Sequence, residues 1–534
     1  MPSIFSESGF HRVIEKTVAV IAALYLEDPV PWVVGYSGGK DSTAVLALVW
    51  LALRSIPPER RKKTVHVIST DTLVENPVVA TWANNSLLQM RTAAAEQQLP
   101  IEAHRLTPEV TDSFWVMLIG KGYAAPRPKF RWCTDRLKIR PSNKFITDTI
   151  SKYREAILIL GTRKAESAAR ARVMERLETE RVRDGLSPNA SLPGSLVFSP
   201  IEDWTSDDVW LFLMQVQNPW GWSNKDLLGL YQGASPDGEC PLVVDTTTPS
   251  CGNSRFGCYV CTMVEKDSSM QAMISNNDQH EWMLPLLELR NALDLDDDRH
   301  LRDFRRMDGR VDLMGQGNAI RVIPGPYLQT SRIMWLRMLL EAQTYVRANG
   351  PELVRNIEIV SLAELEEIRR IWITEKAEFE DVLPKIYEEA TGEPYPTPGG
   401  YSRVCNGLGS TVDLLRECCD GDETLFDACR HLLVTNWEMR LKVRRAGIYE
   451  ALDKGLMRGT FRNADEAIAA LRPGYEAKQH RREATQVLKD AMEIATAAGP
   501  KQRTGRRQLP LLGLEPRSRY APDDDAEAPW TAET

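Results

Sequence analysis

The segment WVVGYSGGKDSTAVLAL, Trp32 to Leu48, decides the fold of this chain. An apolar, β-branched run enters the turn Ser37-Gly38-Gly39-Lys40-Asp41-Ser42, and a stretch of helical period leaves it. A strand that passes through a glycine turn straight into a helix aims free backbone N–H groups and the positive helix end at an anion. The two glycines let backbone approach phosphate oxygens closely, Lys40 adds charge, and Ser37 and Ser42 add hydroxyl donors. A tight turn with a capping serine is the plainer alternative. The loop is not a Walker A motif, because G-x-x-x-x-G-K is missing.

Outward from this segment, residues 12 to 210 alternate buried-strand runs with amphipathic helical stretches. Strands are expected at Trp32 to Tyr36, Val65 to Thr70, Ile101 to Leu106 and Ala156 to Gly161, with helices such as Ser42 to Leu53 and Val78 to Gln98 between them. The pattern predicts an α/β fold, a doubly wound and mainly parallel sheet covered on both faces. Ser199 to Trp210 reads as a capped helix with Trp204 and Trp210 in the core. From about 281 the chain reads as mostly helical, for example over Leu362 to Ala390 and Thr411 to Ala446. The expected organisation is an ATP-binding α/β domain at 1–230, a cysteine-rich loop region at 231–280, a helical domain at 281–508 and a disordered tail at 509–534.

The chain has 534 residues, 43% hydrophobic and 26% charged, with a net charge of −8. No overall positive field draws in nucleic acid, so an anionic partner must be met by a local patch. The longest uncharged apolar runs, Thr17 to Leu26 and Thr43 to Leu53, are about half of a bilayer span. The start lacks a basic region followed by an apolar core, and a cytoplasmic protein is expected. In that reducing compartment, clustered cysteines among the chain's nine point to metal binding or catalysis.

Such a cluster exists. Cys258-Tyr-Val-Cys261 follows Cys251 by seven residues, and Cys240 lies eleven before that. A CxxC pair lets two sulfurs converge on one metal, and a third nearby thiolate strengthens the reading; zinc, an iron-sulfur cluster and plain thiols all stay open. Cys405, Cys418, Cys419 and Cys429 fall in helical patterns and read as core thiols. The stretch Arg127 to Lys144 holds seven Lys and Arg against one acid, a net of +6. It suits either a solvated face or a polyanion site. Residues 431 to 508 carry a further net of +7, for which a solvated helical surface is the plainer reading.

Ser37 to Ser42 resembles the SGGxDS loop of PP-loop ATP pyrophosphatases, which split ATP between the α and β phosphates. Three further segments resemble the phosphoadenylyl-sulfate (PAPS) reductase-like branch of that superfamily: Ser69 to Thr72 (STDT), Gly161-Thr162-Arg163 with Glu166-Ser167 and Arg170, and Pro200 to Trp210. That resemblance implies ATP with Mg²⁺ held by Ser37 to Ser42, Asp71 and Gly161. Asp41 would help with Mg²⁺, while Arg163 and Arg170 would hold a second anionic group near the phosphates. The branch also has a C-x-x-x-L-K element, here at Cys133, which its iron-sulfur members pair with a downstream CxxC. The implied ligand set is Cys133, Cys251, Cys258 and Cys261 on a 4Fe-4S cluster. Zinc is the chemical rival, and Cys240 is left as an alternative ligand, a persulfide carrier or an inert thiol.

Within the branch the chain resembles the DndC family, the sulfurtransferases of bacterial DNA phosphorothioation, at residues 37 to 42, 132 to 141, 161 to 167 and 251 to 261. The resemblance implies adenylation of a DNA phosphodiester, catalytic roles for Lys40, Asp41, Arg163 and Arg170, and displacement of AMP by sulfur. The implied partners are DNA, a cysteine desulfurase as sulfur donor, and the phosphorothioation proteins DndD and DndE. A PAPS or adenylylsulfate reductase is the first rival. Trp132 stands where adenylylsulfate reductases carry a second cysteine, and no cysteine follows Cys429. A tRNA thiolase and a nucleotide-sensing scaffold subunit are the others.

Overall fold

The computed structural model describes residues 3–181, 183–189, 192–235, 256–396, 411–440 and 446–497. One sheet contains β1 (Trp32–Gly35), β2 (Val65–Thr70), β3 (Ile101–Leu106), β4 (Ala156–Ile159), β5 (Ser187–Pro188) and β6 (Ser195–Phe198), in the order β3-β2-β1-β4-β6-β5. Every neighbouring pair is parallel except β5 with β6. The four expected strands are present, the first one residue shorter and the fourth two. The strands at the centre read as continuous apolar runs because helices cover both faces: Val33, Val34 and all of β4 are buried.

The connections place the site. Chain order reverses at β1, which lies between β2 and β4, so the crossovers on its two sides leave in opposite directions. A crevice opens at the carboxyl ends of the strands at such a point. Ser37 to Ser42 follow β1 there, and Gly161 follows β4.

One face is covered by α1 (Phe10–Glu27) and α2 (Lys40–Ser55), with Trp204 and Trp210 in the same core. On the other face α4 (Arg140–Tyr153) sets Ile146 against Val33, Ile68 and Leu158, while α3 (Pro77–Glu96), which joins β2 to β3, puts Leu87, Met90 and Ala94 into the core of α1 and α2. A second core gathers Phe114 to Ile119, Trp132, Tyr259 and Val260 with the later helices α8 (Gln329–Asn349), α9 (Leu362–Thr374) and α10 (Leu383–Thr391). Two buried indoles pin it: Trp115 Nε1 donates to the Ile359 carbonyl at 3.0 Å, and Trp372 Nε1 to that of Ile119 at 2.9 Å. Between α4 and α8 lie α5 (Ala168–Thr179), α6 (Ser206–Gln215) and α7 (Asn224–Gly233), followed by two short helices, Ser268–Asn276 and Leu284–Leu293.

Two expected helices are broken. The run from Leu362 stops at Thr374, and Ala377 and Asp381 take left-handed conformations before Pro384 opens α10. The run from Thr411 is interrupted at Asp420 and Gly421, both left-handed, and resumes as α11 (Glu423–Arg440), followed by α12 (Ile448–Arg458). Residues 1–470 form one compact unit; in the second, 471–534, the described residues are helical and largely exposed. The expected tail at 509–534 lies outside the described residues. No helix among the described residues is long and apolar enough to cross a membrane.

Candidate functional site

The phosphate loop has the conformation its sequence asks for. Gly38 takes φ +75°, where a side chain is strained, and a Cβ on it would stand 3.1 Å from that of Ala83. The Ser42 hydroxyl donates to the Gly39 carbonyl at 3.0 Å and accepts from the Ser37 amide at 3.2 Å, closing the turn around the start of α2. Lys40 is only 7% exposed, yet its ammonium reaches the Asp41 carboxylate at 3.1 Å.

Asp41 also receives Arg163, whose Nε lies 2.8 Å from its second oxygen. Arg163 is 4% exposed and donates to the Trp204 carbonyl at 3.3 Å, so a buried guanidinium joins the segment after β4 to the phosphate loop. With both oxygens of Asp41 facing cations, Mg²⁺ binding there would have to displace one of them. Gly161 has a packing role: a Cβ at this position would stand 2.9 Å from the Asp41 carbonyl carbon and 3.1 Å from the Ser42 nitrogen. Only glycine lets the end of β4 lie against the start of α2. Arg170 is apart from this group; it sits on α5 with its side chain 44% exposed, 3.5 Å from Glu166.

The end of β2 carries the link to the cysteines. Asp71 is buried, accepts from Arg105 Nε at 3.0 Å and caps the turn by accepting from the Leu73 amide at 2.8 Å. Next to it, the Thr72 hydroxyl lies 3.3 Å from Cys258 Sγ. The backbone repeats this contact, since Glu75 bridges Cys258 and the Tyr259 amide donates to the Val74 carbonyl at 2.9 Å. Buried Arg290 secures the far side, donating to the carbonyls of Cys261 at 3.1 Å, of Glu265 at 3.2 Å and of Val264.

Cys133 precedes a π-helical turn, Thr134–Ile139, that runs into α4. Lys138 on this turn is raised in pKa by Cys258, Glu75, Cys261 and Cys133 together, against the opposing effect of burial, so three thiols share the field of one ammonium. Burial pushes the Cys258 thiol up to about 11, opposed by Lys138 and Thr72. It also pushes Cys133 up. Burial raises Glu75 to about 7.

Among the described residues the three thiols are not gathered within 4.8 Å of one another; His66, Glu102 and His104 on β2 and β3 are the group that is. Tetrahedral zinc with Zn–S bonds of about 2.3 Å would hold its sulfurs about 3.8 Å apart. A cluster with one thiolate on each iron takes a wider spread. Cys251 and Cys240 lie outside the described residues, as does Cys405. Of the cysteines expected in the core, Cys419 is buried and Cys429 half-buried, but Cys418 is exposed.

The basic stretch is largely neutralised. Arg127 pairs with Asp298 at 3.1 Å, Arg140 with Asp112 at 2.9 Å, Lys144 with Glu109 at 2.6 Å, and Lys138 with Glu75 at 3.9 Å, while Arg136 also meets Asp112. Lys129 and Arg131 are the exposed cations left without an ion pair among the described residues. The sequence reading missed Tyr231, on α7. Its hydroxyl accepts from the Lys40 amide at 3.3 Å, and its ring lies 5.9 Å from the Lys40 ammonium. No local motif marks a residue that reaches the loop from so far along the chain.

A phosphate loop at the switch point, closed by Gly161 and joined to a CxxC, now has a family counterpart. Residues 31–263 match the phosphoadenosine phosphosulfate reductase domain. The chain therefore carries a PAPS reductase-like domain followed by a helical region. Over 251 residues, 47% of the chain, it is 26% identical to an uncharacterized protein of Methanocaldococcus jannaschii, and the match covers 40% of that protein's length. Among solved structures, a PAPS reductase from Candida auris aligns over 40% of this chain and 89% of its own, at 13% identity and a TM-score of 0.24. The U34-tRNA thiolase NcsA of Methanococcus maripaludis, solved with its 4Fe-4S cluster, aligns over 42% of this chain and 76% of its own, at 16% identity and a TM-score of 0.27.

Proposed function

We propose that this protein is an ATP-dependent sulfurtransferase whose acceptor is the DNA backbone. The observation that carries the reading is the 3.3 Å contact of Thr72 with Cys258, which sets thiols beside the strand end that faces the phosphate loop. Nucleotide chemistry and sulfur chemistry then share one crevice.

In this reading the loop amides and Lys40 hold the ATP phosphates, and Arg163 keeps Lys40 and Asp41 in place. A non-bridging oxygen of a DNA phosphodiester attacks the α-phosphorus, and pyrophosphate leaves. Attack by one anion on another is slow unless charge is neutralised, which is the work of Lys40 and Arg163. Sulfur at the sulfide level, supplied through a cysteine desulfurase and a reductant, then displaces AMP.

Cys133, Cys258 and Cys261, with Cys251, are the residues that would hold a 4Fe-4S cluster, and three thiol donors within the field of Lys138 suit one. Such a cluster would supply an iron that takes up sulfur or a path for electrons. Asp41 would hold Mg²⁺ once Lys40 or Arg163 turns to the nucleotide. DNA as acceptor, and DndD and DndE as partners, rest on the motifs at 132 to 141 and 161 to 167.

The family match over 31–263 favours sulfonucleotide reduction as the second reading. Isotope exchange separates the two. If DNA is adenylated reversibly, labelled pyrophosphate enters ATP only when DNA is present, and Lys40→Ala abolishes the exchange. Exchange without DNA, or sulfite release from PAPS instead, would overturn the proposal.

A further inference from the structure

In the helical half a cavity of about 320 Å³ lies between α8, the turn after α9, and helices α11 and α12. Its cations outnumber its acids: Arg305, Arg332, Lys376, Arg416, Arg430 and Arg458 face Asp303, Glu378, Glu423 and Asp427. The acids are already engaged. Glu378 takes Arg332 in a buried pair, and Glu423 lies 3.2 Å from Arg416. Asp303 lies 3.1 Å from Arg305. Asp427 is shared by Arg305 at 3.1 Å, Arg430 at 3.0 Å and Arg458 at 3.5 Å.

Lys376 is left over. Its ammonium has no ion pair or hydrogen bond among the described residues, and burial together with Arg332 and Arg458 brings its pKa down to about 7. A second group is also unsatisfied. His431 lines the cavity, its Nδ1 donates to the Asp427 carbonyl at 2.9 Å, and its Nε2 is buried without a partner. Burial and Arg458 hold this imidazole neutral, so Nε2 is an acceptor.

Uncompensated cations in a confined space are costly unless an anion enters, and a buried acceptor is costly unless a donor reaches it. One group offers both: an oxyanion that carries a hydroxyl. The volume is at the small end of ligand pockets, about 300 to 1,000 Å³. We propose that this cavity binds a phosphate group, as inorganic phosphate or as a small phosphate monoester, with Lys376 and the neighbouring arginines taking the charge and His431 Nε2 accepting from the P–OH. The site is separate from the phosphate loop and does not depend on the DNA reading.

The test is equilibrium dialysis of full-length protein carrying Lys40→Ala, which removes the cation of the phosphate loop, against labelled inorganic phosphate, AMP and sulfate. The expected result is one phosphate bound per chain, with sulfate weaker because it brings no hydroxyl at neutral pH. Adding Lys376→Met should weaken binding by about tenfold or more, with melting in phosphate-free buffer unchanged or raised. Tighter AMP than phosphate would assign a monoester, and the reverse would assign the free ion. Lys376→Gln serves as the second variant if Lys376→Met does not fold. Absence of phosphate and AMP binding at millimolar concentration in folded Lys40→Ala protein would overturn the proposal, as would affinity unchanged by the Lys376 substitution.

Discussion

The Thr72 hydroxyl lies 3.3 Å from Cys258 Sγ, one residue beyond the buried carboxylate of Asp71. Two consecutive positions, Asp71 and Thr72, thus run from the end of β2 to the thiols. Thr72→Val keeps the shape and removes the donor. Hydrogen bonds to metal ligands typically govern affinity by about 10- to 100-fold. With the cluster of the proposed function bound, the variant is expected to lose iron to a chelator about tenfold faster under anaerobic conditions while binding ATP as the wild type does. Unchanged iron loss would make the contact incidental.

A Cβ at Gly161 would stand 2.9 Å from the Asp41 carbonyl carbon, closer than real Cβ atoms come, and 3.1 Å from the Ser42 nitrogen. Gly161→Ala must push β4 and α2 apart, at a cost of about 1–3 kcal/mol. ATP binding should fall by at least about tenfold, and urea denaturation with ATP titration would show both effects. A variant with wild-type affinity would contradict the packing role.

Arg163 serves Asp41 and the Trp204 carbonyl from a buried position. A lysine cannot hydrogen-bond the Trp204 carbonyl and keep its charge beside Asp41 as a planar guanidinium does. Arg163→Lys is expected to fold, to raise the KM for ATP about tenfold, and to leave thiol accessibility to alkylation unchanged. Arg170→Lys, at an exposed helix position, should change KM far less.

Much of this was legible in the sequence because it is local. A strand, a glycine turn and a helix start coincide over Trp32 to Leu48, and the four strand segments carry their own apolar runs. What was illegible is non-local. Tyr231 reaches Lys40 from α7, and the acids that neutralise Arg127 to Lys144 come from Glu75, Glu109, Asp112 and Asp298. The break in Leu362 to Ala390 follows from left-handed residues and from Asp381 turning back to Arg369 at 2.8 Å, which helical periodicity does not record.

Lys376 gives a pH dependence with a definite sign. Its pKa is near 10.5 unfolded and about 7 folded, so between these values the unfolded chain binds more protons and stability rises with pH. The cost of the buried charge is fully present below pH 7. Lys376→Met should therefore stabilise the protein more at pH 6.5 than at pH 9, by at least about 1 kcal/mol in paired denaturations without phosphate. An equal gap at both pH values would contradict the shift.

In the proposed function, ATP chemistry and thiol chemistry act together on DNA. The decisive experiment incubates the anaerobically prepared protein with DNA, ATP, Mg²⁺, a cysteine desulfurase, cysteine and a reductant. The DNA is then digested with nucleases and searched by mass spectrometry for phosphorothioate-linked dinucleotides. Such dinucleotides are expected with wild-type protein and none with Lys40→Ala or Cys258→Ala. DNA free of phosphorothioate in a reaction that consumes ATP, or product formed equally by Cys258→Ala, would contradict it.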